Sequence, residues 1–255
     1  MLKLSSCTTM QKKYIIRLVW RCVALAVAAV LCFCVPERFD VMSEGGFFKR
    51  FSVLHIFWLV WMGDIVMQLM PLRSVLALGT QKQFAKWFVP GAQADREEMR
   101  AFIRKSNWAA IKVFLVWTAV VWGIGWLVNS DIISVPVVFL ISVFFYVCDL
   151  ICVLVWCPFR VYLMKNRCCT SCRIFNWDHL MMFAHYMFIP GFYAKSLFYM
   201  SVLVFAIWEL CFLLHPERFW IKTNAALKCS NCTDRLCSGR LTVPAAAKAV
   251  KNNKI

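Results

Sequence analysis

Fourteen cysteines stand in this 255-residue chain, and six of them fall into two spaced groups. The first is Cys168-Cys169-Thr170-Ser171-Cys172; the second is Cys229-Ser230-Asn231-Cys232, with Cys237 five residues on. Each contains a C-x-x-C knuckle, a spacing that lets two thiolates of one tight turn bind the same ion. Two such turns make the tetrahedral sulfur site that zinc prefers. Cys169, Cys172, Cys229 and Cys232 are then the ligands, and Cys168 and Cys237 offer extra ones. An iron–sulfur cluster is the competing reading. Cys157-Pro158 has the Cys-Pro of ferredoxin-like sequences, but the C-x-x-C-x-x-C run is absent. The third reading is no metal at all. Free cysteine packs as a small buried hydrophobe, the simplest account of Cys22, Cys32, Cys34, Cys148, Cys152, Cys157 and Cys211.

A second chemistry-bearing set consists of ionisable residues inside otherwise apolar stretches, where charge is expensive and points to function. These are Asp64, Asp149, Glu209 and His185. Counted back from the ends of the apolar stretches, the acids lie about 9 to 12 Å deep at the helical rise, and His185 falls at a similar depth. Such a layer can bind a small ligand or a cation, relay protons, or supply an acid and a base in a buried cleft. The structural alternative is a carboxyl satisfied by a neighbouring helix, with Gln68 one turn beyond Asp64 as an available partner. His55 and His179 read as interfacial.

The elements that must position these groups are membrane helices. The chain is 62% hydrophobic and 16% charged, with a mean hydropathy of +0.66, which excludes a soluble domain of this length. Apolar stretches long enough to cross about 30 Å of hydrocarbon cover residues 18–35, 51–70, 108–128 and 132–157. The first follows Lys12, Lys13, Arg17 and Arg21 and lacks a small-x-small cleavage site, so it reads as a retained anchor. Residues 177–215, interrupted by Pro190 and Gly191, make either one kinked span or two short ones turning around Lys195 and Ser196.

Charge arbitrates between the two. The net charge is +16. With six spans, only Arg38, Lys49, Arg50 and Lys195 lie outside, leaving 25 of the 29 basic residues on the cytoplasmic side. With five spans the eight basic residues from Arg218 to Lys254 would all lie outside. The expected fold is therefore an all-α polytopic transmembrane helical bundle, with six spans, or five plus a re-entrant segment. Its membrane domain covers residues 1–217 with a cytoplasmic loop at 71–107. Paired cytoplasmic cysteine knuckles follow at 157–173 and 218–237, with a disordered basic tail at 238–255 and both termini in the cytoplasm. Asp95 and Glu98 have capping-box spacing, and the stretch around Phe84, Trp87 and Phe88 reads as interfacial helix or loop. One echo points the other way: Pro36-Glu37-Arg38-Phe39 matches Pro216-Glu217-Arg218-Phe219, and the two copies would share a face under five spans.

The segment Asn166 to Asp178, NRCCTSCRIFNWD, together with the cysteine tail, resembles a family of bacterial integral membrane proteins over roughly the last 100 residues. The resemblance implies a bacterial inner membrane and no particular activity. A cytoplasmic surface this basic is drawn to anionic phospholipid. The 12 Trp and 22 Phe suit lipid contacts and contacts with other membrane subunits. Nucleic acid is not expected, because the basic residues are spread among span-flanking loops. No nucleophile motif, phosphate loop or H-E-x-x-H signature selects a reaction. The expected functions are therefore a metal-clasped bundle binding a small ligand or ion, a redox or enzyme component carrying a cluster, and a scaffold subunit.

Overall fold

The structure is a computed structural model that describes residues 9–71, 78–166, 168–232 and 236. Its regular structure is helical apart from a single antiparallel bridge between Pro90 and Asn224. The helices are α1 (Thr9–Cys34), α2 (Val53–Met67), α3 (Leu78–Gln83), α4 (Arg96–Asn129), α5 (Val135–Leu154), α6 (Asp178–Phe183) and α7 (Phe192–Leu214). Four of them, α1, α4, α5 and α7, are long and apolar enough to cross a membrane. The chain is thus an all-helical protein of membrane type. Cys237 and the tail at 238–255 lie outside the described residues.

The helix boundaries follow local chemistry. Pro36 cannot continue α1 and instead opens the 3-10 turn Pro36–Met42. Asp95 caps α4, accepting from the Arg96 N–H, while Glu98 reaches back to the Asp95 N–H, as their spacing predicts. At α2 the buried His55 takes the reciprocal role. Its Nδ1 accepts from the Ser52 N–H at 3.0 Å, so Nε2 carries the proton and donates to the Phe47 carbonyl at 2.9 Å.

Contacts fix the directions of the helices. α1 and α5 run antiparallel, joined by Arg21 to Asp149 near one end and continuous with Phe39 on Phe139 near the other. Phe102 of α4 stacks on Trp220 at the end where α7 finishes, whereas Trp122 of α4 meets Phe188 at the end where α7 begins. α2 starts beside the first turns of α7, with the Trp58 indole donating to Ser196 and the Tyr193 hydroxyl to the Leu54 carbonyl. One end of the bundle therefore gathers residues 81–107, 157–173 and 215–232 and most of the described Lys and Arg. We call it the basic end.

Between Cys172 and α7 the chain is a string of short pieces, the 3-10 turn Arg173–Trp177, α6 and the 3-10 turn Ala184–Phe188. This string starts at the basic end, where Arg173 meets Glu209, and finishes at the other, where the Phe188 ring fills the space over Gly125 of α4. The turn into α7 comes at Pro190-Gly191, not at Lys195 and Ser196, which lie within α7. Gly191 is needed there because a Cβ would run into the Met42 carbonyl. The two Pro-Glu-Arg-Phe copies lie at opposite ends. Both Phe residues are buried, Phe39 against Phe139 and Phe219 against Phe212, so they pack inward and do not anchor an interface. α3 and Phe84 fold onto the bundle, where Phe84 packs on Trp208 and Gln83 accepts from Asn176.

Candidate functional site: a carboxylate network beside a cysteine-lined cavity

The core centres on Trp61, whose ring meets Phe139, Tyr146 and Phe183. Toward the basic end this aromatic packing gives way to polar groups. Arg21 enters from α1. Its Nη1 donates to Asp149 Oδ2 at 2.8 Å and to the Tyr146 carbonyl at 2.5 Å, and its guanidinium lies 3.6 Å from the Tyr146 ring centroid. The Tyr146 hydroxyl donates in turn to Asp64 Oδ2 at 2.8 Å. One turn after Asp64, Gln68 donates to Asp178 Oδ1 at 2.8 Å. His179 Nδ1 stands 2.8 Å from Gln68 Oε1 and 3.2 Å from Asp178 Oδ1. Both are acceptors, so Nδ1 carries the proton.

Three carboxylates, one arginine and one histidine thus share one region, and Asp149 and Asp178 are within Coulombic reach of each other. The sequence identified Asp64 and Asp149 for this region. It missed Arg21, Tyr146, Asp178 and His179, and His179 is buried in the bundle, not interfacial. The signal for Arg21 was available, because it lies three residues inside the apolar stretch and not ahead of it. Asp64 stands three residues before the end of α2, and Asp149 and Glu209 stand five before the ends of α5 and α7, about 5 to 8 Å from those helix ends.

Glu209 and His185 do not join the network. Glu209 faces Arg173, whose Nε and Nη2 both bond its carboxylate, and it accepts from the Trp177 indole at 2.8 Å. Arg173 also donates to Asn107 at 2.5 Å and lies over the Phe212 ring. This clasp ties α4, the 173–177 turn and α7 together. His185 lies further from the basic end. There Ser142 donates to the Val138 carbonyl and accepts from His185 Nε2 at 2.8 Å.

Asp149 and Asp178 form part of the wall of a cavity of about 400 Å³ between α4, α5 and the chain from Cys157 to Met182. Most of the wall is apolar, with Trp117, Phe145 and Phe159 prominent, and Arg160 completes its polar part. Five cysteines line it: Cys148, Cys152, Cys157, Cys169 and Cys172. The Cys152 thiol donates to the Cys157 sulfur, which also accepts from the Arg160 N–H at 3.4 Å. These bonds, the Cys152 one foremost, pull the Cys157 thiol down to about 7, whereas burial pushes Cys172 up to about 12. Cys169 donates to the Cys152 carbonyl at 3.4 Å, a carbonyl released where α5 frays before Pro158.

Among the described residues the two knuckles are not gathered into one sulfur site. Cys169 turns inward to the end of α5, and Cys172 is buried beside it. Cys232 lies 3.8 Å from Lys82 Nζ on α3, Cys229 is exposed, and Cys168 is half-buried. Both turns do lie at the basic end, with α3 packed against the Cys169–Ser171 turn. Among the described residues, no group of three or more His, Cys, Asp or Glu side chains is placed to hold a metal ion. Comparison of the chain with protein-family models, with curated proteins and with solved structures finds no match, so the geometry alone supports a functional reading.

Proposed function

We propose that this chain is a six-crossing membrane protein, with both termini in the cytoplasm, that binds a small cationic ligand in the cavity bordered by Asp149 and Asp178. The single observation that carries the binding reading is that pair of carboxylates on the wall of a mostly apolar cavity. Arg21 and Arg160 do not cancel Asp64, Asp149 and Asp178, and His179 completes the balance only when protonated. With His179 neutral, a cation therefore improves the electrostatics of the region and an anion worsens them. The aromatic wall suits an organic cation or a dehydrated ion.

The crossing number is supported by the path of residues 173–188 from the basic end to Gly125. A broken crossing is stable only where its backbone is buried in protein, and Tyr186, His185 and Phe183 are fully buried. The positive-inside rule then puts the basic end in the cytoplasm, against anionic phospholipid.

Titration of the purified protein with tetraphenylphosphonium, and with tetraphenylborate as an anion of equal shape, tests the cavity through the fluorescence of Trp117 and Trp156. Saturable binding of the cation alone is expected, weakened in Asp149→Asn. Equal partition of both ions, unchanged in Asp149→Asn, overturns the reading. A cysteine placed at Lys49 should be labelled by an impermeant maleimide from outside the cell and one placed at Lys228 only from inside. Outside labelling at both positions defeats the six-crossing topology.

A further inference from the structure

We infer that the cation this cavity selects is a soft, thiophilic one, copper(I) or silver(I), held by the sulfurs of Cys152 and Cys157. The inference rests on the reading of the cavity as a cation site and adds the identity of the ligand class.

The sulfur content of the wall is the starting point. Besides the five cysteines, Met181 and Met182 line the same cavity. Thiolate and thioether ligands together favour copper(I) over harder ions. A closed-shell monovalent ion of this kind is satisfied by two sulfurs in a near-linear arrangement and does not need a preset tetrahedron. Among the described residues no three-ligand group exists, but a touching thiol pair does. Cys152, in the last turn of α5, donates to Cys157, and Cys157 is held in place by the Arg160 N–H. Cys169 and Cys172 come from a separate turn and line the same cavity. Zinc, which wants four such ligands in fixed geometry, is served less well.

The reaction is a ligand exchange without redox change. Two S–H bonds break, two metal–sulfur bonds form, the metal stays monovalent, and two protons leave to solvent at the basic end. The product is a bis-thiolate complex with one negative charge, and Arg160 on the cavity wall supplies the neighbouring positive charge.

The test uses the whole reduced protein, purified without oxygen and titrated with silver(I), and with copper(I) against a competing chelator. One tight equivalent is expected, with an ultraviolet thiolate-to-metal band and quenching of Trp117 and Trp156. In Cys152→Ser/Cys157→Ser the affinity should fall about tenfold or more, whereas Cys229→Ser/Cys232→Ser should leave it unchanged. Binding that survives the first double change, loss confined to the second, or displacement by equimolar zinc each overturns the inference. If the Cys152/Cys157 variant does not fold, silver(I) protection of Cys157 from maleimide in the unaltered chain, read by mass spectrometry, decides the matter: protection supports the site and full modification defeats it. Tetraphenylphosphonium binding is measured on the same preparations. Its survival without metal binding defeats only this inference, and loss of both defeats the cavity reading itself.

Discussion

The Tyr146 hydroxyl donates to Asp64 at 2.8 Å while the same ring carries the Arg21 guanidinium on its face. One side chain of α5 thereby joins an acid of α2 to a base of α1. Replacing Tyr146 by Phe keeps the ring and removes only the hydroxyl, leaving Asp64 without this donor. Hydrogen bonds between membrane helices are worth roughly 0.6 kcal/mol on average and up to about 1.7, so Tyr146→Phe should destabilise the protein within that range. Tyr146→Leu, which also removes the cation–π contact, should cost more. Thermal unfolding in detergent measures both. A Phe variant less stable than the Leu variant would contradict the geometry.

The Arg21–Asp149 pair should behave as a unit. Its side chains are only 13% and 23% exposed, so removing one partner leaves a charge with little water. Arg21→Met alone should cost roughly 3 kcal/mol, toward the low end for a broken buried pair. Asp149→Asn added to it should restore part of that loss. A double-mutant cycle checks this, and strict additivity would show that the two groups are not coupled.

How much of this was legible in the sequence depends on the kind of signal. Asp64, Asp149 and Glu209 stand out because an acid in an apolar run is visible without any partner. Their partners were not visible. Arg21 reads as a flanking charge and His179 as interfacial, and nothing in the sequence marks Tyr146 or Asp178 as their partners. Four of the membrane helices follow from hydropathy alone. The path of residues 173–188 does not, because it is made of short pieces whose burial comes from Phe188 on Gly125 and from Arg173 on Glu209. The cysteines divide in the same way. C-x-x-C is a local pattern, whereas the meeting of Cys169 and Cys172 with Cys152 and Cys157 exists only once α5 has frayed at Pro158. Both of those α5-end cysteines pass for ordinary small hydrophobes in the sequence.

Two glycines on opposite faces of α4 should respond oppositely to the same change. A Cβ at Gly125 strikes the Phe188 ring, whereas one at Gly123 meets nothing within 4 Å. Gly125→Ala should therefore cost about 1 to 3 kcal/mol as the ring is displaced. Gly123→Ala should be neutral or stabilise α4 by roughly 0.5 to 1 kcal/mol through helix propensity. Melting temperatures of the two variants, compared with the unaltered protein, give the sign of each directly. A mild Gly125→Ala would mean that the 184–188 turn is not seated on α4.

Cys157 and Cys172 line one cavity, yet their thiols should differ sharply in reactivity. The thiolate is the nucleophile. Cys157, with its ionisation drawn down to about 7 by the Cys152 thiol and the Arg160 N–H, should react with maleimide along a curve whose midpoint lies near neutral pH. Cys172, pushed by burial up to about 12, should stay unmodified across the range in which Cys157 reacts fully. The positive charge of Arg160 favours the Cys157 thiolate, so Arg160→Gln should move the Cys157 midpoint upward while leaving the backbone N–H contact in place. Peptide mass spectrometry across a pH series separates the two sites. Parallel curves for both cysteines, or an Arg160→Gln curve unchanged from the parent, would show that the Cys152–Cys157–Arg160 arrangement does not govern this end of the cavity.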